Sequence, residues 1–172
     1  MFLPYRAVSH RRRKRNGPQI IPGVGIGPVR LGMAAGDGTR AAAAFAAETD
    51  GCTIDVAVVA SRVAAVGTRW GGCLDLAVPR GARPIGVSIA GIVFPVWPAI
   101  GSTWFPFIAV FGPPIIVGFD DDSAALIWRN GLVARVGGVR EGDGVVTYLA
   151  VTAPGSEAAP AVGLLKISDA SE

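Results

Sequence analysis

The sequence predicts a mainly β chain, a sandwich or barrel with a jelly-roll-like arrangement possible, carrying one short helix and a flexible basic N-terminal arm. Three observations lead there. Valine and isoleucine together number 34 against nine leucines, and β-branched side chains suit pleated, half-buried surfaces. The 24 glycines and 13 prolines break the chain into strand-length pieces. Hydrophobic residues make up 51% and charged residues only 17%, which is the reverse of a disordered chain. At 172 residues the chain is long enough to bury roughly 70% of its unfolded surface in a single core.

The arm comes first. Residues 1–19 hold six basic groups and no acid, so the net charge of +3 hides a body, 20–172, with ten basic against thirteen acidic groups, a net of −3. The run Arg11, Arg12, Arg13, Lys14 and Arg15 repels itself and cannot pair internally. Three roles suit it: a solvated or targeting tail, nucleic-acid contact through counterion release, or docking on an acidic protein. Residues 1–9 do not make a signal peptide, because their apolar stretch is short and precedes the charges.

The body is expected to be one β-rich domain. Residues 20–33 alternate apolar residues with glycine and proline and read as an extended segment. Pro28 stands where a G-x-G-x-x-G loop needs its third glycine, and no P-loop lysine follows. Asp37 or Thr39 can cap an alanine-rich helix over 40–48, with Phe45 its large anchor. Strands follow at 53–60 and 63–68, joined by the turn Ala60-Ser61-Arg62, and another at 73–78. Asn130-Gly131 between two apolar runs predicts a hairpin, and Arg140-Glu141-Gly142-Asp143-Gly144 has turn composition.

Residues 84–119 carry no charge at all. They are long enough to cross a bilayer, which takes about 20 apolar residues as a helix, but six prolines interrupt them. Each interior proline costs a helix about 3 kcal/mol. Strands joined by proline and glycine turns fit better, serving as core or as a subunit interface anchored by Trp97, Trp104, Phe105 and Phe107. Insertion of 84–119 into a membrane is the alternative.

The chemistry is sparse. The single histidine, His10, lies in the basic stretch, so the body can build neither a Ser-His-Asp triad nor a multi-histidine zinc site. No catalytic residue, metal site or cofactor is expected. Cys52 and Cys73 fit either a disulfide or two buried thiols, with the reduced form favoured. Asp120, Asp121 and Asp122 read as a solvated turn, with weak shared calcium binding as the lesser option.

Residues 124–154 include Trp128, Asn130, Gly131, Leu132, Gly142, Thr147 and Pro154. In that order they resemble a β-hairpin module of bacteriophage tail-fibre and other virion structural proteins. The resemblance implies a structural component of a bacterial virus particle, a coat, decoration or tail protein. Its partners would be further copies of itself and other virion proteins, with nucleic acid within reach of the arm. Residues 25–33 also resemble the opening of small bacterial immunity-type or envelope domains, which implies a cellular binding module instead. The expected location is the virion, or otherwise the cytoplasm.

Overall fold

The computed structural model describes residues 17–69, 72–142, 144–155 and 158–167. The cationic run Arg11, Arg12, Arg13, Lys14 and Arg15 lies outside the described residues. Gln19, the last residue assigned to the arm, already belongs to the first strand.

The chain is mainly β. A short meander of β1 (Gln19–Ile21), β2 (Gly25–Ile26) and β3 (Val29–Arg30) is joined by β6 (Asp75–Leu76), which runs parallel to β1. The larger sheet holds β4 (Asp55–Val59), β5 (Arg62–Thr68), β12 (Val145–Thr152), β11 (Leu132–Gly137), β10 (Ser123–Ile127) and β9 (Ile115–Gly118), in that spatial order and antiparallel throughout. A separate hairpin pairs β7 (Ile85–Ile89) with β8 (Ile92–Val96). None of these sheets closes into a barrel.

Three layers result. The small sheet and α1 (Ala35–Glu48) cover one face of the large sheet, where Ile20, Ile26, Val29, Phe45, Val66 and Leu149 meet. On the other face α3 (Ala159–Ile167) lays Ala161, Leu164 and Leu165 on Ala65, Val133 and Ala150. The central strands therefore bury both faces, which explains why β11 and β12 read as nearly continuous apolar runs.

The alanine-rich helix forms as expected but starts five residues earlier, with Gly36 and Gly38 inside it. Gly38 is buried, and a side chain there would strike Val63. Its bare backbone lets α1 lie directly on β5, and Ala42 and Phe45 continue the same face. Asp37 pairs with Arg40 within the first turns, so it supports the helix without capping it.

The β4–β5 hairpin turns at Ala60 and Ser61, both at positive φ (50° and 62°), the backbone of a two-residue hairpin turn. Arg62 is already in β5. The expected strand over 73–78 shortens to the two residues of β6. The Asn130-Gly131 hairpin is present: β10 pairs with β11, and the Asn130 side-chain oxygen accepts from the Leu132 amide at 3.1 Å.

Two helices were not expected. The first is α2 (Phe105–Phe111), inside the proline-rich stretch, and the second is α3. Pro106 sits in the first turn of α2, where its missing N–H costs nothing. Pro160 falls at the corresponding place in α3. A proline that signals a strand break thus opens a helix in both places.

The cysteines also depart from expectation. Cys52 and Cys73 form a disulfide, with Cα atoms 6.5 Å apart. Cys52 leads into β4 and Cys73 into β6, so the bridge ties the large sheet to the small one. Two residues distant in sequence had to be brought together by the packing of two sheets before the pairing became visible.

Candidate assembly surface

The uncharged stretch 84–119 is divided between core and surface. Its inner part is held by three attachments. The Gly101 amide donates to the Val146 carbonyl at 2.7 Å, and the Val146 amide donates back to Ser102 at 2.9 Å, fixing the segment to the start of β12. Phe107 of α2 enters the core fully buried and stacks on Trp128, with ring centroids 5.9 Å apart. The Trp128 indole N–H donates to the Gly112 carbonyl at 2.8 Å, closing the end of α2 against the β10–β11 turn.

This sorts the four aromatic residues expected at an interface. Phe107 is core and offers no surface to a neighbour, because it fills the space between α2 and the large sheet. Trp104 is half-buried against the same core, and Trp97 is half-buried. Phe105 alone is exposed, at 48%, and lies 5.6 Å from the Trp104 ring. Helix side chains two residues apart point in different directions, so Phe105 and Phe107 take opposite roles.

Most of the exposed large apolar side chains are aliphatic and lie on the strands. The β7–β8 hairpin turns at Ala90 and Gly91, both at positive φ, and exposes Val87, Ile89, Ile92, Val93 and Phe94. Ile89 and Val93 are 61% and 62% exposed. The edge strand β9 exposes Ile115, Ile116 and Val117 and pairs only with β10 among the described residues. Between β9 and the aromatic cluster lies a recess of about 710 Å³, lined by Phe111, Pro113, Pro114, Ile115, Ile127 and Trp128, with Arg129 and Asn130 at its margin.

The aspartate cluster builds a turn. Both the Asp122 and Ser123 amides donate to Asp120 Oδ1 at 2.7 Å, and the Ser123 hydroxyl donates to Oδ2 at 2.8 Å. The Asp122 amide, followed by the Ser123 hydroxyl, holds the Asp120 carboxyl below its ordinary range. Asp121 pairs with Arg140 at 3.3 Å. Among the described residues no group of three or more acidic, histidine or cysteine side chains could hold a metal ion, and no helix is long and apolar enough to cross a membrane.

Sequence reasoning missed one buried cation. Arg135 on β11 is 8% exposed. Its Nη1 donates to the Leu165 carbonyl at 2.9 Å in the last turn of α3, where the helix dipole favours a positive charge. The guanidinium also lies 5.6 Å from the Phe119 ring centroid. No family model, curated protein or solved structure matches the chain.

Proposed function

We propose that this protein is a structural, self-assembling component of a bacterial virus particle, joining its copies through the uncharged stretch 84–119. One observation carries the proposal. The β7–β8 hairpin is uncharged, exposes aliphatic side chains along both strands, and belongs to neither larger sheet. A lone two-stranded hairpin is marginal in water, and a cluster of exposed apolar residues marks a contact surface.

The recess beside Trp128 is a concavity with a largely apolar lining. The hairpin tip of one copy, Ile89 and Ile92, fills the recess of the next, which makes a head-to-tail contact that closes into rings or extends into arrays. The virion setting rests on the resemblance of residues 124–154 to tail-fibre modules, and the cationic run Arg11–Arg15 would reach nucleic acid or a neighbouring subunit. The Cys52–Cys73 bridge favours an oxidising environment, such as a particle surface, over the cytosol.

The proposal is tested by introducing a charge at the tip, Ile89→Asp with Ile92→Asp. The variant should stay folded and become monomeric while the native chain assembles. Vesicle binding by a native chain that remains monomeric would favour lipid as the hairpin's partner and overturn the proposal. Deleting residues 1–16 should weaken retention on nucleic acid in low salt without unfolding the body.

A further inference from the structure

A further concavity lies away from the assembly surface. It is a cleft of about 560 Å³ between α1 and the outer strand of the large sheet, β4. Ala42, Ala46, Ile54, Val56 and Leu164 give it an apolar lining, and Asp55 and Arg69 place opposite charges on its wall. A volume of this size, mostly apolar with a few polar groups, is typical of small-molecule sites.

Asp55 is positioned by a device spread over three strands. The Tyr148 hydroxyl on β12 donates to Asp55 Oδ2 at 2.6 Å. To reach it the phenol crosses β5 at Gly67, where a Cβ would overlap the Tyr148 oxygen. Burial, followed by the hydrogen bond to Asp55, raises the Tyr148 phenol far above its usual range, so it stays a neutral donor. Tyr148 is 1% exposed and turns a packed core against one carboxylate.

A buried phenol needs only one acceptor, which a carbonyl or hydroxyl would supply. A carboxylate costs more to place in a half-buried position unless something repays its charge. Neither Asp55 nor Arg69 makes an ion pair among the described residues, although both line one cleft. Two opposite charges, neither in an ion pair among the described residues, share one cleft with an apolar lining and complement a molecule that carries both charges itself.

We propose that this cleft binds a small zwitterion with an apolar body, an α-amino acid in chemical class. Its ammonium sits on the Asp55 carboxylate and its carboxylate on the Arg69 guanidinium, while its side chain packs on Ala42, Ala46 and Ile54. Tyr148 is a positioning residue, holding Asp55 without touching the ligand.

The test is a titration of the full-length protein with L-leucine and L-phenylalanine, followed by amide NMR shifts and calorimetry. Leucinamide, which lacks the carboxylate, and 4-methylpentanoate, which lacks the amine, serve as controls. Saturable binding of the amino acids is expected, weakened by about tenfold or more in each analogue and in Asp55→Asn and Arg69→Gln. Ala43→Trp, which fills the cleft from the exposed side of α1, should block binding and leave the melting temperature unchanged. Tyr148→Phe should weaken the amino acids and leucinamide alike while leaving 4-methylpentanoate unaffected, a split that general loosening of the fold would not produce. The proposal is overturned if the folded native protein binds no apolar amino acid at millimolar concentration. It is equally overturned if either analogue binds as tightly as leucine, or if Arg69→Gln, an exposed change that leaves the fold intact, binds like the native chain.

Discussion

Removing the Cys52–Cys73 bridge should destabilise the protein by an amount that follows from chain length. The two cysteines are 21 residues apart, and closing a loop of that size in the unfolded chain removes conformational entropy worth about 3 kcal/mol at room temperature. For a chain of this size each kcal/mol moves the melting temperature by about 2–4 °C, so the expected fall is roughly 6–12 °C. The perturbation is Cys52→Ala with Cys73→Ala, which leaves no unpaired thiol, compared with the native chain with and without a reductant. Thermal unfolding by circular dichroism gives the shift, and thiol titration of the denatured, unreduced protein gives the redox state. The reasoning predicts no free thiol in the native chain and similar melting for the reduced native chain and the double variant. Two titratable thiols in the unreduced protein, or melting unaffected by reduction, would refute it.

Gly67→Ala should cost about 3 kcal/mol, since the new methyl overpacks the Tyr148 ring and breaks its hydrogen bond to Asp55; denaturant unfolding measures it. Phe107→Ala should cost about 3–5 kcal/mol by opening a core cavity, whereas Phe105→Ala, on the exposed side of the same helix, should stay within about 0.5 kcal/mol. Acid should loosen the β9–β10 turn. The Asp120 carboxyl is lowered from its ordinary value of 3.8 by the Asp122 amide and the Ser123 hydroxyl. A lowered folded-state pKa contributes stability that is present above the unfolded value and lost as pH falls through the folded one. Protection of the Asp122 and Ser123 amides, taken against their intrinsic exchange rates, should therefore fall as pH drops below about 4, and Asp120→Asn should abolish that pH dependence.

The parts legible from sequence are those set by neighbouring residues. Alanine propensity announced α1, the Asn130-Gly131 pair announced the β10–β11 hairpin, and the spacing of 53–60 and 63–68 announced β4 and β5. What escaped depends on residues meeting across the fold. Gly38 reads as a helix breaker until Val63 lies beneath it, and Arg135 reads as a surface charge until the end of α3 arrives above it. Pro106 and Pro160 carry the same letter in a first helical turn as in a strand break. In 84–119 the absence of charge was visible, but aromatic bulk did not show which side chains stay outside: α2 turns Phe107 inward and leaves Phe105 exposed, and the hairpin exposes Ile89 and Val93. Asp55, Gly67 and Tyr148 lie on three strands, and no local spacing relates them.

The central claim is that the uncharged hairpin joins copies of this chain, and the molar mass in solution addresses it most directly. Light scattering on the purified protein should give a mass well above the 17.6 kDa of one chain, falling to that value when Ile89 and Ile92 become aspartate. A native chain that stays at 17.6 kDa with its hairpin intact would contradict the account.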